Sequence, residues 1–551
     1  MGVAAQVSWK DHVLGAALAG AYVLTLLATS PGIALSRDES IYVGAAEAYG
    51  GWYELLFRDS DQALTEEAVK RAWEPNHEHP ALIKTLFAWS WLAQKHYHPF
   101  AHDSSAIRFP AMVLAGALLW VIYLFGLRTM GRREGIFAAL AFALIPRVFH
   151  HAHLACFDMP IAFFLTWTTY AYWRSLRCKG WAVASGVIYG LALATKHNAW
   201  ILPGVLLIHW LWMRLSRPGA ELPAPARFPW WLASMALLGP LVFVGTWPWL
   251  WAETWPRFRW YANFHLDHVH YSIQYLGETY FQPPFPVSYP WVMTLFTVPV
   301  ATLLLGVVGV AQGAAGFAPP WSRRWWPKSW GTDDDVLRTA VLWLGCMIAP
   351  VLIFSLRTTP IFGGTKHWFA AYPFLALFGA RTFSHVADVV AAWARSARLR
   401  LAVPALVAAV LLAAPLAETA HSWPFGLSYY TPIAGGVPGA ADLGMNRQFW
   451  GYTHGSLAAW VRKEMPQGGT VWLCDALPGS WRMLQRDGAI PANIRAASNL
   501  ASADYAIVHH EEHFDEVDFQ IWEAFGTVSP VHVLTYDGVP IISVYRNTRK
   551  R

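Results

Sequence analysis

Long apolar runs, separated by short polar segments, occupy most of this chain. The runs approach the length of about 20 mostly apolar residues that a helix needs to cross a lipid bilayer. The pattern therefore predicts a polytopic α-helical membrane protein with about eleven transmembrane helices. They lie at residues 13–34, 108–127, 135–149, 159–174, 181–195, 199–213, 229–248, 290–312, 337–355, 368–383 and 400–417.

The pattern changes after residue 420, where the apolar runs become short. Four of them predict strands, at residues 470–473, 505–508, 531–535 and 541–544, and residues 455–462 and 514–524 predict helices. We expect two domains. Residues 1–420 form a transmembrane domain with exterior loops at 35–107 and 246–289, and residues 421–551 form a small exterior α/β domain.

Composition agrees with a membrane location. The 551 residues are 55% hydrophobic and 14% charged, which excludes an ordinary soluble globular protein. The net charge of +6 requires no nucleic-acid partner, because most basic residues lie in short loops between apolar runs. The four cysteines have no close cysteine partner in sequence, so neither a disulfide framework nor a zinc ribbon is indicated.

The loops divide into a basic set and a set with few basic residues. By the positive-inside rule the basic loops are cytoplasmic, which places both long loops and the C-terminal domain outside. Under this topology all but three of the 22 His residues are exterior, the exceptions being His12, His209 and His385. No Asn-x-Ser/Thr sequon occurs, and Arg far outnumbers Lys. We therefore predict a bacterial inner-membrane protein whose chemistry takes place on the periplasmic face.

Two adjacent carboxylates, Asp38 and Glu39, follow the first predicted helix directly. Carboxylates at a membrane surface are costly beside lipid and usually lie over a polar cavity. The alternative is a helix start, with Ser36 as N-cap and the acidic residues in the first turn. Their position in the sequence leaves both interpretations open.

Other charged residues stand at exterior ends of predicted helices: Lys84 after His79-Pro80, Arg108, Asp158, Lys196 and Lys366. Each has a structural alternative. Asp158 suits an N-cap, Arg108 suits a membrane anchor, and the Thr-Lys-His segments at 195–197 and 365–367 suit ordinary turns. The repetition of the pattern favours one shared anion site beside the carboxylates.

Histidines raise a further alternative, a divalent metal ion. Asp38 and Glu39 together with His265 and His268 of the second long loop could supply ligands for it. The spacing of these residues matches no defined metal signature. A metal site and a site without metal both stay open at this point.

Carboxylates beside cations suit a particular chemistry. A carboxylate can remove a proton from an attacking hydroxyl or amine, which contributes about 10²–10⁴-fold in rate. Cations can hold a phosphate and neutralise the charge that develops on it as it leaves. A lipid-linked phosphosugar fits both requirements, with its tail in the bilayer and its sugar in an exterior cavity.

On these residues the chain resembles the membrane glycosyltransferases of the GT-C superfamily. The resemblance is greatest to glycosyltransferase family 39, the protein O-mannosyltransferase and aminoarabinose-transferase group, and covers roughly residues 10–420. It rests on Asp38-Glu39, the His79-Pro80 segment, Arg108, Asp158-Met159-Pro160, the Lys196 turn and the segment 367–373. The Asp-Glu pair after the first helix is its most specific element.

The resemblance implies a polyprenyl-phosphate-sugar donor and transfer with inversion at the anomeric carbon. Asp38 would be the general base or would position the acceptor, with Glu39 and Asp158 as further catalytic carboxylates. The other expected roles are donor-phosphate binding by Arg108, Lys84, Lys196, Lys366 and His367, and substrate binding by His79, His197 and Arg357.

Two departures leave the acceptor open among a lipid, a glycan and a protein. The family often has His-Pro-Pro where this chain has His79-Pro80-Ala81, and the C-terminal segment lacks the repeated modules of eukaryotic protein mannosyltransferases. Two other functions stay as alternatives. A lipid or polysaccharide transporter predicts ionisable residues in mid-span or repeated halves, neither of which is clear here. An oligosaccharyltransferase or O-antigen ligase would use a diphosphate-linked donor.

Overall fold

The computed structural model describes residues 7–216, 223–315, 334–511 and 514–550. Most of its first 422 residues are helical. The helices are α1 (Trp9–Thr29), α2 (Arg37–Arg58), α3 (Ser60–Ala63), α4 (Glu66–Trp73), α5 (Leu82–Tyr97), α6 (Asp103–Thr129), α7 (Arg132–Ala143), α8 (Pro146–His153), α9 (Asp158–Ser175), α10 (Gly180–Leu193), α11 (Leu202–Leu215), α12 (Trp230–Gly245), α13 (Thr254–Leu266), α14 (Tyr289–Thr297), α15 (Val300–Ala314), α16 (Asp334–Ile353), α17 (Tyr372–Ala392) and α18 (Ala397–Ser422).

Every one of the predicted apolar runs is helical over most of its length, so the protein has a helical, membrane-type, multi-pass fold. In the described ranges, five helices are long and apolar enough to cross a membrane, namely Trp9–Thr29, Asp103–Thr129, Asp334–Ile353, Gly364–Ala392 and Ala397–Ser422. A sixth span results if α7 and α8, bent by 75°, are counted together. The predicted count of about eleven is therefore not confirmed.

The physical reason for the lower count is the interruption and shortness of several helices. Pro146 begins α8 directly after the bend, and Pro299 separates α14 from α15. Proline lacks the amide hydrogen that an unbroken helix requires, so a continuous apolar run becomes two helices. The apolar helices α10, α12 and α15 have 14, 16 and 15 residues, fewer than a full span needs.

Small residues bring some of these helices close together. Gly186 of α10 faces Ser234 of α12, and a Cβ atom at Gly186 would lie only 2.1 Å from the Ser234 hydroxyl oxygen. Close backbone approach of this kind is how helices associate where lipid removes the hydrophobic driving force between them.

The remaining elements form the C-terminal region. They are α19 (Gly436–Asp442), α20 (Ala458–Glu464), α21 (Pro478–Arg486), α22 (Asp515–Phe525), β3 (Gly469–Leu473), β4 (Ile494–Ala496), β5 (Tyr505–His509), β6 (His532–Tyr536) and β7 (Val539–Arg546). A separate hairpin, β1 (Ile273–Tyr275) and β2 (Glu278–Tyr280), lies in the second long loop.

The C-terminal sheet has the strand order β4-β3-β5-β7-β6. Strand β3 is parallel to β4 and β5, whereas β7 is antiparallel to β5 and β6. Successive side chains of a strand point to opposite faces. Ile507 accordingly packs against the side of α20 and α21, and Val508 against the side of α22. Helices therefore cover both faces of the sheet.

Among the contacts of this region with the helical part are those of α21. The Ser480 hydroxyl donates to the Leu35 carbonyl (2.6 Å), and Arg486 forms ion pairs with Glu47 and Asp103, both at 2.8 Å. The N-terminal ends of α2 and α6 therefore lie directly beside the C-terminal region. The division of the chain at residue 420 into two domains stays a prediction.

Candidate active site

The first turn of α2 carries both carboxylates and is held by a capping box. The Ser36 backbone N–H donates to Glu39 Oε2 (2.8 Å), and the Glu39 N–H donates to the Ser36 hydroxyl oxygen (3.4 Å). Two backbone groups that a helix start leaves without partners are satisfied in this way. Glu39 therefore acts as part of the helix start, as the structural alternative predicted. The Asp38 carboxylate takes no part in this cap.

Glu39 and Arg108 form a buried ion pair away from solvent. The Arg108 Nε donates to Glu39 Oε1 (2.7 Å) and its Nη2 to Glu39 Oε2 (3.0 Å), and both side chains are 0% exposed. The remaining guanidinium contacts are the Ile33 and Ala34 carbonyls, and the Ala155 N–H also donates to Glu39. This corrects two predictions, since neither Arg108 nor Glu39 reaches a cavity where it could contact a phosphate or a reacting group.

Asp38 points to the opposite side, into a cavity of about 540 Å³. Most of the predicted site residues line this cavity, which gathers side chains from both long loops and from several helix ends. They are Asp38, His79, Asp158, Lys196, His197, His265, His268, Lys366 and His367. The structure thus brings together residues that are more than 300 positions apart in the sequence.

Two carboxylate–lysine pairs lie in the cavity, which Arg37 and Glu78 also line. Lys366 Nζ lies 3.2 Å from Asp38 Oδ2, and Lys196 Nζ lies 2.7 Å from Asp158 Oδ1. Asp38 is the more exposed carboxylate, with 23% of its side chain accessible against 5% for Asp158. A partly exposed carboxylate that lines a cavity is within reach of a bound molecule and can accept a proton from it.

The four residues of these pairs come from helix ends and tight turns. Asp158 is the first residue of α9, where the helix dipole favours a negative charge, and Lys196 follows the end of α10. Lys366 lies in a 3₁₀ segment, Gly364–Ala371, that precedes α17. The charged residues that the sequence pattern singled out at these helix ends therefore line one cavity.

Two predicted contacts, Lys84 and Arg357, do not line the cavity. The Lys84 ammonium donates to the Asn76 carbonyl (2.5 Å), to Asn76 Oδ1 (3.2 Å) and to the His79 carbonyl (2.9 Å), so protein groups satisfy all three of its hydrogens. Burial lowers the pKa of Lys84 to about 7. Its role is to hold the 76–79 loop. Arg357 is exposed, and its carbonyl accepts a hydrogen bond from the Phe285 N–H.

Histidine rings form one wall of the cavity. The rings of His197 and His265 stack with their centroids 4.0 Å apart, and His79 lies 5.9 Å from His265. Burial lowers the pKa of His265 to about 4 and also lowers the pKa of His79 well below its usual range. These imidazoles are neutral near pH 7, so they offer hydrogen bonds and ring faces, while the lysines supply the positive charge.

The histidines do not assemble into a metal site. No group of three or more His, Cys, Asp or Glu within the described ranges is arranged to hold a metal ion. Both oxygens of Glu39 are occupied by Arg108 and backbone amides, and His265 Nε2 faces the Glu78 carbonyl at 2.8 Å. The candidate ligand set Asp38, Glu39, His265 and His268 therefore does not fit a bound cation.

An apolar groove adjoins the cavity between α9, α11, α16 and α17. It shares Asp158, Lys366 and His367 with the cavity. Its other lining residues are mostly apolar and include Ile161, Leu165, Leu202, Val205, Ala349, Pro350 and Phe374. The charged residues therefore stand where the cavity meets the apolar groove between helices.

Several lining residues had received no role from the sequence, among them Arg37, Glu78 and Asn198. Each of these three residues is adjacent in sequence to a predicted site residue, and this adjacency is the signal that could have identified them. Tyr271 and Phe362 also line the cavity.

The fold and the site together define a multi-pass membrane protein with a paired carboxylate–lysine cavity at the end of its helices. Residues 79–247 match the family model described as dolichyl-phosphate-mannose-protein mannosyltransferase. The predicted resemblance to the protein O-mannosyltransferase group is confirmed over this segment of the chain. The matched segment contains the cavity residues His79, Asp158, Lys196 and His197.

Among solved structures, the chain matches several at low sequence identity. ArnT from Cupriavidus metallidurans bound to undecaprenyl phosphate is 17% identical, with 98% of each chain covered and a TM-score of 0.45. The Archaeoglobus fulgidus oligosaccharyltransferase in the apo form is 11% identical, with 94% of this chain and 72% of that chain covered and a TM-score of 0.48. No curated protein matches the chain in sequence.

Proposed function

We propose that this protein is a membrane glycosyltransferase that moves a sugar from a polyprenyl-phosphate carrier to an acceptor on the exterior face of a bacterial inner membrane. The observation that carries the proposal is the junction of two environments at Asp158, Lys366 and His367. A polar cavity with carboxylates and ammonium groups lies on one side, and an apolar groove lies on the other. A lipid-linked phosphosugar has the same division into polar head and apolar tail.

The reaction follows from the position of Asp38. Its carboxylate takes the proton of an acceptor hydroxyl or amine, whose oxygen or nitrogen attacks the anomeric carbon of the donor sugar. The bond between that carbon and the phosphate oxygen breaks, and its electron pair leaves with the polyprenyl phosphate. Attack from the side opposite the phosphate inverts the anomeric centre. The products are the glycosylated acceptor, the polyprenyl phosphate and a proton on Asp38.

The lysines act on the leaving group. Lys196 and Lys366 each carry an ammonium group beside a carboxylate. An ammonium group has three donors, so each lysine can keep its carboxylate and also donate to a phosphate. Their charge compensates the negative charge that grows on the phosphate as the bond breaks. Asp158 holds Lys196, and the neutral His79 and His197 offer hydrogen bonds to sugar hydroxyls. No step requires a metal ion.

A transfer experiment in nanodiscs tests the proposal. Native mass spectrometry first identifies the co-purified lipid, and the protein is then supplied with radiolabelled sugars on undecaprenyl phosphate and on undecaprenyl diphosphate. We expect binding of the monophosphate carrier and transfer of its label to a lipid, glycan or protein acceptor from the cell envelope. Preferential use of the diphosphate carrier would indicate an oligosaccharyltransferase-type or ligase-type reaction instead. Movement of an intact lipid across the bilayer without transfer would indicate a transporter.

A further inference from the structure

Trp450, in the segment between α19 and α20, has an unusual backbone conformation. Its φ angle is +70°, a left-handed value that bulky side chains rarely adopt, and its side chain is buried at 2% exposure. Conformations of this kind persist only where the surrounding structure enforces them, and they cluster at functional sites. The contacts of Trp450 indicate which site this is.

Trp450 contacts the neighbours of Asp38 on two sides. Its carbonyl accepts a hydrogen bond from the backbone N–H of Arg37 at 3.0 Å, at the start of α2. The centroid of its ring lies 4.3 Å from Lys366 Nζ, within the range of a cation–π contact. The same ammonium group is 3.2 Å from Asp38 Oδ2. One residue thus contacts both the residue before Asp38 and the cation paired with it.

We propose that Trp450 is a positioning residue for Asp38 and Lys366, so that the C-terminal region completes the active site of the helical part. This inference rests on the proposed function, because it assigns a role within that site. The carbonyl of Trp450 fixes the first turn of α2, and its indole face holds the Lys366 ammonium group over the Asp38 carboxylate. Removal of the aromatic ring lets the ammonium group move away from Asp38.

The surroundings of Trp450 admit little variation. A Cβ atom at Gly363 would lie 2.4 Å from Trp450 Nε1, and a Cβ atom at Gly451 would lie 1.9 Å from the Asp475 carbonyl oxygen. Both glycines also have positive φ angles, +68° and +55°. Asp475 in turn accepts a hydrogen bond from Arg37 Nη1 at 2.7 Å. Arg37 is therefore held by its backbone and by its side chain, both from the C-terminal region.

The experiment compares Trp450→Leu, Trp450→Phe and the control Trp481→Leu in the full-length protein in nanodiscs. Trp481 is also a buried tryptophan of the C-terminal region, but its indole N–H donates to the Ile494 carbonyl. Two quantities are measured: the kcat and donor KM of sugar transfer, and the rate at which an amine-reactive reagent labels Lys366, read by peptide mass spectrometry. The labelling rate does not depend on any transfer activity.

For Trp450→Leu we expect kcat to fall roughly 10²-fold, the effect of misplacing a reacting group by about 1 Å, with little change in donor KM. The labelling rate of Lys366 rises. Trp450→Phe keeps an aromatic face and stays close to the wild type in both measurements. Trp481→Leu lowers the melting temperature without changing the labelling rate. Wild-type kcat and labelling in Trp450→Leu, or the same changes in Trp481→Leu, would overturn the proposal.

Fluorinated tryptophans at position 450 keep the test decisive if Trp450→Leu does not fold. Each added fluorine weakens the negative ring face with almost no change of shape. We expect the labelling rate of Lys366 to rise, and kcat to fall, with each fluorine. A labelling rate that does not change with the number of fluorines would contradict the cation–π contact between Trp450 and Lys366. If the wild type transfers no sugar, the proposed function fails, whereas the labelling series still decides whether Trp450 holds Lys366.

Discussion

Two ion pairs at the start of α2 show how differently neighbouring residues are used. Glu39 and Arg108 form a pair that is closed to solvent, whereas Asp38 and Lys366 form a pair that lines the cavity. Successive residues of a helix point about 100° apart, so adjacent carboxylates enter different surroundings. Both pairs join a carboxylate to a cation. They differ in exposure to the cavity, so the closed pair suits a structural role and the open pair suits a reactive one.

The closed pair also explains the geometry of the open one. Arg108 joins Glu39 to the Ile33 and Ala34 carbonyls, which ties the start of α2 to the end of the preceding segment and to α6. The first turn of α2 is thereby fixed, and with it the direction of Asp38. A rigid neighbour of this kind supports the orientation that a general base requires.

The largest effect is expected for the open pair. Asp38→Asn removes the group that accepts the proton, so we expect kcat of sugar transfer to fall about 10²–10⁴-fold. The melting temperature and the affinity for the polyprenyl-phosphate carrier stay close to wild type, because Asp38 takes no part in the capping box. Transfer assays with radiolabelled donor measure the rate. Wild-type turnover in this variant would remove Asp38 from the role of base.

A substitution in the closed pair should lower the stability of the protein. Arg108→Met leaves the Glu39 carboxylate buried without its cation, which costs about 3–5 kcal/mol. We expect a lower melting temperature and less folded protein, measured by thermal unfolding in detergent. The double variant with Glu39→Gln removes both charges and should recover part of the loss. A stable Arg108→Met variant with weakened donor binding would instead restore Arg108 as a phosphate contact.

Two lysines test whether lining the cavity matters. Lys196→Met removes a charged hydrogen-bond donor at the proposed phosphate site, worth about 1.5–3 kcal/mol, so we expect donor affinity to fall roughly 10–150-fold. Lys84→Met is the matched control. Its ammonium group is used by the Asn76 and His79 loop, so the variant should lose stability and keep its donor affinity. Equal losses of affinity in both variants would contradict the assignment. Isothermal titration with the carrier lipid measures both.

The smallest effect concerns pH. Burial raises the pKa of Asp475, the partner of the Arg37 side chain, from 3.8 to about 6. Between these values the folded protein binds more protons than the unfolded chain, so stability is highest below pH 4 for this group and falls as pH rises to 6. We therefore expect the melting temperature of Asp475→Asn to depend less on pH between pH 4 and pH 6 than the melting temperature of the wild type. Parallel pH profiles of the two proteins would contradict the raised pKa.

Charged residues at helix ends were predicted to meet at one site, and some of them line the cavity whereas others do not. Asp158, Lys196 and Lys366 were found because charged residues at helix ends stand out in an apolar chain, and they do meet in the cavity. Lys84 and Arg108 showed the same pattern and lie outside it. The difference depends on the partners each side chain meets, the Asn76 loop for Lys84 and Glu39 for Arg108. Those partners come from segments distant in sequence or from loops without a periodic pattern.

Apolar runs of nearly bilayer length were enough to predict a helical membrane protein, because hydropathy and length are local properties of the chain. Four of the five strands of the C-terminal sheet, all except β4, coincide with predicted strands for the same reason. The allocation of Asp38 to the cavity and Glu39 to the interior depended on the folded structure. So did the contact of Trp450 with Lys366, which joins positions 84 residues apart. Burial and pairing are properties of the packed chain, and only tertiary contacts decide them.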